Sequence, residues 1–363
     1  MNPSESSFPS FGTLPCGREA SLIELTNRHG LRARITNLGA TLVGMEVPDR
    51  DGRMADVTLG YDSAADYLSP ANPYLGATVG RFGNRIAHGR FTLDGNLYQL
   101  ALNNAPGGIP SHLHGGDGGF HRKLWEIVSH GPSEVRMRLV SPDGDDGYPG
   151  ELEVEVLYAL NDDNELIWQA TANSRAATVL NLVHHSYWNL SGNPMAPVLD
   201  HELSLRASRY LPTDPGLIPT GELRSVADTP LDFTSTHRIG ERIDGDFPCL
   251  GYGAGYDHAW VLDDGTDESQ VAATFHHPES GRTLEILTNQ PAIQVYAGNF
   301  LGPECFGGDH PAGKSGQIYP RRSGLCLETE NFPDAPNHPH FPSAVLRPGE
   351  TYRHIEIHRF SVR

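Results

Sequence analysis

The sequence predicts an all-β fold, an antiparallel sandwich or barrel of many short strands, and three observations carry that prediction. Segments of alternating apolar and polar residues recur along the chain, in places at a spacing of roughly 8–12 residues. Forty glycines and 28 prolines are scattered over the 363 residues instead of gathering in tracts, as tight turns between short elements require. Segments with the helical period of about 3.6 residues are nearly absent.

Taken in order, strands are expected at 31–35 and 41–47, on either side of a turn at Asn37-Leu38-Gly39. A single helical piece of about two turns at best fits 63–68. Strands at 90–93 and 97–100 flank Asp94-Gly95, the strongest short hairpin signal. Segments 134–140 and 151–160 alternate with period two, and the polar turn Asn161-Asp162-Asp163-Asn164 leads into 165–171. Further strands are expected at 179–183, 202–206, 258–262, 271–276, 283–288, 292–297, 324–329 and 352–360. Three long loops, 103–123, 210–243 and 302–324, are where a rigid β scaffold would carry its site. No composition shift marks a linker and no fixed-period repeat appears, so one domain across 1–363 is expected, with 1–12 a loose tail.

A net charge of −18 disfavours nucleic acid and anionic membrane as partners, and counts mildly against highly anionic substrates. No run of 18 apolar residues could span a bilayer, and the start of the chain lacks a signal-peptide pattern. Cys16, Cys249, Cys305 and Cys326 have no CxxC spacing and read as free thiols, which makes the cytoplasm the expected address.

Histidine is abundant, with 18 copies, and pairs occur at His112/His114, His184/His185 and His276/His277. A zinc or iron site would need a third ligand at a recognisable spacing, and none is found, nor any HExxH. His276-His277 precedes Pro278-Glu279-Ser280-Gly281 and reads as a hairpin tip. A second constellation fits chemistry better. His185 stands at the exit of an apolar strand, and Glu328 stands within Leu325-Cys326-Leu327-Glu328-Thr329-Glu330. Strand alternation turns Cys326, Glu328 and Glu330 one way and Leu325, Leu327 and Thr329 the other. An acid within a leucine run is either an edge-strand acid in water or a buried group with a purpose. A glutamate and a histidine at two strand mouths supply a base and an acid for moving protons between two oxygens.

The ordered motifs resemble the aldose 1-epimerase family along nearly the whole chain. They are Gly80-Arg81-Phe82-Gly83-Asn84-Arg85-Ile86-Ala87, Leu113-His114-Gly115-Gly116, the stretch from Asn181 to Gly192, Tyr256-Asp257-His258, and Gln290-Pro291 through Gln294 to Phe300. Leu327-Glu328-Thr329, Pro333-Asp334-Ala335-Pro336-Asn337 and Leu346-Arg347-Pro348-Gly349-Glu350 follow in the family's order. The resemblance implies a large antiparallel β-supersandwich with few short helices and a shallow sugar cleft. It implies Glu328 as catalytic base, His185 as catalytic acid and His114 as a second active-site histidine. Arg85, Asp257 and Gln294 would hold the sugar, with Asn84 beside them. No metal and no cofactor are implied, and the partner is a small sugar, bound by a monomer or homodimer.

The chemistry of such a site follows from the substrate. A cyclic hexose exchanges anomers only by opening its ring, so a base must take the C1 hydroxyl proton while an acid protonates the ring oxygen. Glu328 would be a carboxylate at neutral pH, and His185 would need a neighbouring acid to keep its proton. Two departures from the family bear on this. His184 stands where an asparagine is usual, and alternation should turn it away from His185. Glu330 stands where an amide is usual, and if it shared the pocket it would raise a neighbouring pKa. His112 beside His114 keeps a metal reading open. The competing functions are a hexose-6-phosphate epimerase, for which Arg81, Arg321 and Arg322 are the candidate phosphate ligands, a sugar-binding module without catalysis, and a metalloenzyme.

Overall fold

The computed structural model describes residues 8–263, 265, 267–303 and 311–363. Its largest sheet has nine strands. Their spatial order is Glu126–His130, Glu134–Ser141, Leu152–Leu160, Glu165–Ser174, Tyr352–Val362, Arg282–Thr288, Val271–His276, Glu202–Leu205 and His237–Arg238. A six-stranded sheet runs Tyr187–Trp188, Leu325–Glu330, Ala292–Tyr296, Asp257–Val261, Arg209–Tyr210 and Arg224–Ser225. The five strands between Ser10 and Asp56 form a third sheet in chain order. All these pairings are antiparallel.

Alternation explains the packing. In Leu152–Leu160 every second residue is buried, and Val154, Val156 and Tyr158 reach a core shared by all three sheets. Leu25 and Ile35 enter it from the five-stranded sheet, and Trp260, Ile293 and Leu327 from the six-stranded one. The inner strands of the six-stranded sheet are covered on both faces, and all six residues of Leu325–Glu330 are buried. That burial removes the reading of its acids as edge residues in water, although only Leu325 and Cys326 have a second strand partner, Tyr187–Trp188. The hairpin at Asp94-Gly95 forms with φ of 50° and 79° and Leu93 opposite Asn96, the two-residue turn whose twist suits flanking strands. Ser63 caps the short helix Ala64–Tyr67, and a second short helix, Pro248–Gly253, starts on a proline.

Two expectations need correction. The strand expected at 179–183 is two short strands, because the chain changes partners. Thr178–Val179 pairs with Val345–Leu346, and Val183–His185 pairs with Ala77–Val79. Between them Asn181 bridges separate segments, its side chain donating to Gly83 O and accepting from Asn331 N. The tail expected over 1–12 ends sooner: Ser10–Thr13 pairs with the next strand, and Phe11 packs on Tyr67 with ring centres 5.9 Å apart. Residues 1–7 of that tail lie outside the described residues, as do Cys305 and part of the 302–324 loop. Cys16, Cys249 and Cys326 are free thiols.

Candidate active site

One face of the six-stranded sheet assembles most of the site. Gln294 and Glu328 lie directly opposite each other on neighbouring strands, and Ala259, opposite Gln294 on its other side, puts Asp257 one pleat further along on that face. Asp257 Oδ1 accepts a 2.6 Å hydrogen bond from Gln294 Nε2, which orients both side chains. His185 enters from Val183–His185, with its Nε2 3.6 Å from Glu328 Oε2. Arg85 and His114 come from the small two-stranded sheet of Arg85–Ala87 and Ser111–Leu113 and the turn that follows it. Together these residues line a cavity of about 510 Å³, with Asn84, Tyr74, Asn104, Tyr187, Tyr296 and Phe300 also on its wall.

The turn carrying His114 is built for close approach. A side chain at Gly115, where φ is +79°, would come within 1.8 Å of Gly80 O, so only glycine fits. Asn84, itself at a φ of 62°, grips the histidine twice. Its backbone N–H donates to His114 Nδ1 at 3.1 Å, and its carbonyl accepts from His114 N at 3.2 Å. A ring nitrogen that accepts a backbone N–H carries no proton, so neutral His114 has its proton on Nε2 and is a hydrogen-bond donor there. Burial holds it neutral, with His185 and Arg85 adding repulsion against a second proton. The triplet of His114, His185 and Glu328 is compact enough for a metal ion, but this tautomer takes away the lone pair of His114 Nε2. Arg85 Nε donates to Asn104 Oδ1 at 3.0 Å, leaving its Nη groups for other acceptors.

Electrostatics differ from the simple expectation. Burial pushes Glu328 well above the usual carboxylate range, and Glu330, Asp257 and Glu356 push it the same way. Burial also takes His185 down to about 3, in a setting where Tyr187 and Tyr74 stack on its ring at 5.2 and 5.7 Å between centres. Glu328, itself desolvated, does not offset that fall. Burial thus pushes the two groups in opposite senses, Glu328 toward its protonated form and His185 toward its neutral one.

The departures resolve clearly. His184 points away from the cavity, stacking on Trp168 at 5.6 Å and facing Glu356, as alternation requires. Glu330 lies behind the wall, accepting from Asn84 Nδ2 at 3.1 Å and Asn181 Nδ2 at 3.4 Å, and burial pushes it up to about 8. His112 is buried outside the cavity with Nδ1 against Ala101 O at 2.8 Å. None of the arginines considered for a phosphate lines the cavity. Arg81 is spent on carbonyls of Ser141, Pro142, Pro149 and Gly150, Arg322 on Asp244, and Arg321 on Asn299 O and Ala254 O. Sequence reasoning did not single out Tyr74, Asn104 or Tyr296 as wall residues. Tyr296 sits in a quoted motif, two positions from Gln294 and so on the same face, which was signal enough. Tyr74 and Asn104 stand in loops with no periodicity to read.

A carboxyl and an imidazole 3.6 Å apart, in a cavity ringed by hydroxyl-binding groups on a β-sheet scaffold, define an acid/base enzyme for a polar small molecule. Comparison with known proteins narrows that class. The family profile described as Aldose 1-epimerase matches residues 21–358. Galactose mutarotase of Bos taurus is 44% identical over 356 residues, covering 97% of both chains, and that of Homo sapiens is 43% identical over 354 residues with the same coverage. Aldose 1-epimerase of Escherichia coli (strain K12) is 37% identical, over 95% of this chain and 96% of its own. Among solved structures, an aldose epimerase homologue from C. elegans superposes with a TM-score of 0.85 at 33% identity, covering 94% of this chain and 99% of that one. The chain belongs to the aldose 1-epimerase family. It is an enzyme that interconverts the α and β anomers of free sugars, and its fold is the galactose mutarotase-like β-supersandwich.

Proposed function

We propose that the chain acts on free galactose and glucose, with Glu328 as base, His185 as acid and His114 as a fixed hydrogen-bond donor to the sugar. The observation that carries this reading is the 3.6 Å approach of Glu328 Oε2 and His185 Nε2 on the wall of a cavity large enough for a hexose. The reaction needs Glu328 as carboxylate and His185 as imidazolium, so a proton that burial favours on Glu328 first passes to His185, a hop that leaves the net charge unchanged. Glu328, made strongly basic by burial, then takes the O1 proton, electrons move into the C1–O1 bond, the C1–O5 bond breaks, and O5 takes the proton of His185. Rotation about C1–C2 exposes the other aldehyde face, and the same transfers in reverse close the ring. Arg85, Asp257, Gln294 and Asn84 supply donors and acceptors that match sugar hydroxyls.

The names of the curated relatives support galactose, and Arg81, Arg321 and Arg322 all lie off the cavity wall, which leaves Arg85 there without the arginine cluster a phosphate would take and favours a free sugar over a sugar phosphate. One domain spanning 1–363 agrees with the family match and with a core drawing on residues from Ile23 to Phe360. We place the protein in the cytoplasm as a monomer or homodimer without nucleic-acid or membrane partners. No described helix is long and apolar enough to cross a membrane. Polarimetry on freshly dissolved α-galactose, α-glucose and α-glucose 6-phosphate tests the substrate reading. Both free sugars should relax far faster with enzyme than without, and the phosphate should gain little. Preference for the phosphate would overturn the reading.

A further inference from the structure

Three groups of histidines and acids among the described residues are compact enough to hold a metal ion, and tautomers separate them. His114 in the cavity has its proton on Nε2, as argued above. His277 is in the same state: its Nδ1 accepts Ser280 N at 3.1 Å, so in the group with Asp200 and His201 its Nε2 is a donor. The third group, His184, Glu356 and His358, is different. All three side chains have no solvent exposure.

His358 and Glu356 have their far sides tied down in the form a metal ligand needs, and the partner of His184 is compatible with it. His358 Nδ1 lies 3.2 Å from Leu166 O, a carbonyl that can only accept, so Nδ1 keeps a ring proton and Nε2 is the atom from which a metal ion could displace one. That Nε2 is buried with no hydrogen-bond partner, although Glu356 Oε1 is 2.8 Å away. His184 Nε2 is 3.1 Å from Ser186 Oγ, which can accept its proton and leave Nδ1 facing Glu356 Oε1 at 3.2 Å. Glu356 Oε2 accepts from Thr329 N at 3.1 Å and from Thr329 Oγ1 at 2.5 Å, leaving Oε1 between the two imidazoles. Histidine ligands whose second nitrogen donates to a carbonyl or hydroxyl, with a carboxylate held on its other oxygen, are the outer arrangement of a metal site.

We propose that the chain binds one zinc-type divalent cation in its core through His184 Nδ1, Glu356 Oε1 and His358 Nε2. Two imidazoles and one carboxylate are a donor set that zinc accepts. The site is separate from the cavity, because its ligands meet the strand Leu325–Glu330 at Thr329, which alternates away from Glu328. Bonds of about 2.0–2.1 Å in tetrahedral geometry would part Oε1 and Nε2 to about 3.3 Å, a small side-chain adjustment. A cation here would join Val183–His185 to Tyr352–Val362 behind the sheet that carries Glu328.

Elemental analysis of the untagged full chain tests this without any variant. The protein should carry about one zinc per chain as purified, or take it up when refolded from denaturant with zinc after chelation. X-ray absorption should show two nitrogens and an oxygen at about 2.0–2.1 Å. His358→Gln and Glu356→Gln should lose the ion, while His185→Asn and Glu328→Gln should keep it. Metal content near zero in the wild-type chain by both routes overturns the proposal, whatever the variants do. So does an ion retained in His358→Gln and lost in His185→Asn, which would put it in the cavity. Neither outcome depends on mutarotation.

Discussion

Two glutamate–histidine clusters lie on opposite sides of one pair of strands and have opposite electrostatics. Glu328 meets His185 on the cavity side, and Glu356 meets His184 and His358 on the core side. All five groups are buried. Burial opposes the charge of both acids, yet Glu328 is pushed up, whereas Glu356 is held well below the usual range by His358 and His184. Glu356 also accepts two hydrogen bonds from Thr329, while Glu328 has one imidazole at 3.6 Å and a ring of other acids. Donors, not burial, decide which acid keeps its charge. The acid left short of donors is the one suited to the proposed role of base, because a carboxylate poor in hydrogen bonds is a strong base.

Activity is where the two sides should differ most. Glu328→Gln and His185→Asn should each slow anomer exchange by roughly 10²–10⁴-fold, the usual effect of losing a positioned acid or base. His184→Asn, one residue away but on the other face, should cost far less. Polarimetry on α-galactose reads all three, with folding checked by circular dichroism. If His184→Asn matched His185→Asn in the loss, the assignment of faces would be broken.

Stability should show the reverse order. Glu356→Gln removes the charged partner of buried imidazoles and should cost about 3–5 kcal/mol. Glu328→Gln replaces a carboxyl that burial pushes toward its uncharged form with an uncharged group of the same shape, and should cost little or even stabilise. Urea unfolding at pH 7 measures both. Equal losses would mean that the two acids are in the same charge state.

Much of this contrast was legible in the sequence, and what was not has a physical reason. Period-two alternation separates Glu328 from Thr329 and His185 from His184, because a strand leaves its side chains no other choice. The motif order brought Asp257, Gln294, Arg85 and His114 together before any geometry was known. The protonation of the Glu328–His185 pair was not legible, because it depends on how many donors reach each atom once Tyr74 and Tyr187 have closed around His185. Nor was the core cluster: Glu356 and His358 read as ordinary alternation in a terminal strand, and only the sheet order, which places Tyr352–Val362 beside Glu165–Ser174, puts His358 against Leu166.

Glu330 sharpens the comparison at smaller scale, since it stands between the two cases. It is fully buried like Glu356, yet its donors are only two amide groups, at 3.1 and 3.4 Å, and it is pushed up to about 8 by burial. An acid whose pKa is higher in the folded chain than in the unfolded one binds more protons when folded. Its contribution to stability is therefore complete below the unfolded value of 4.5 and is lost progressively as pH rises toward about 8. Glu330→Gln removes that penalty while keeping an oxygen for Asn84. Its melting temperature should exceed that of the wild-type chain at pH 8.5, and the gap should shrink steadily to nothing near pH 5, as read by calorimetry across that range. A gap that stayed constant with pH would show that Glu330 is ionised throughout, as Glu356 is, and that two amides suffice to hold a buried carboxylate.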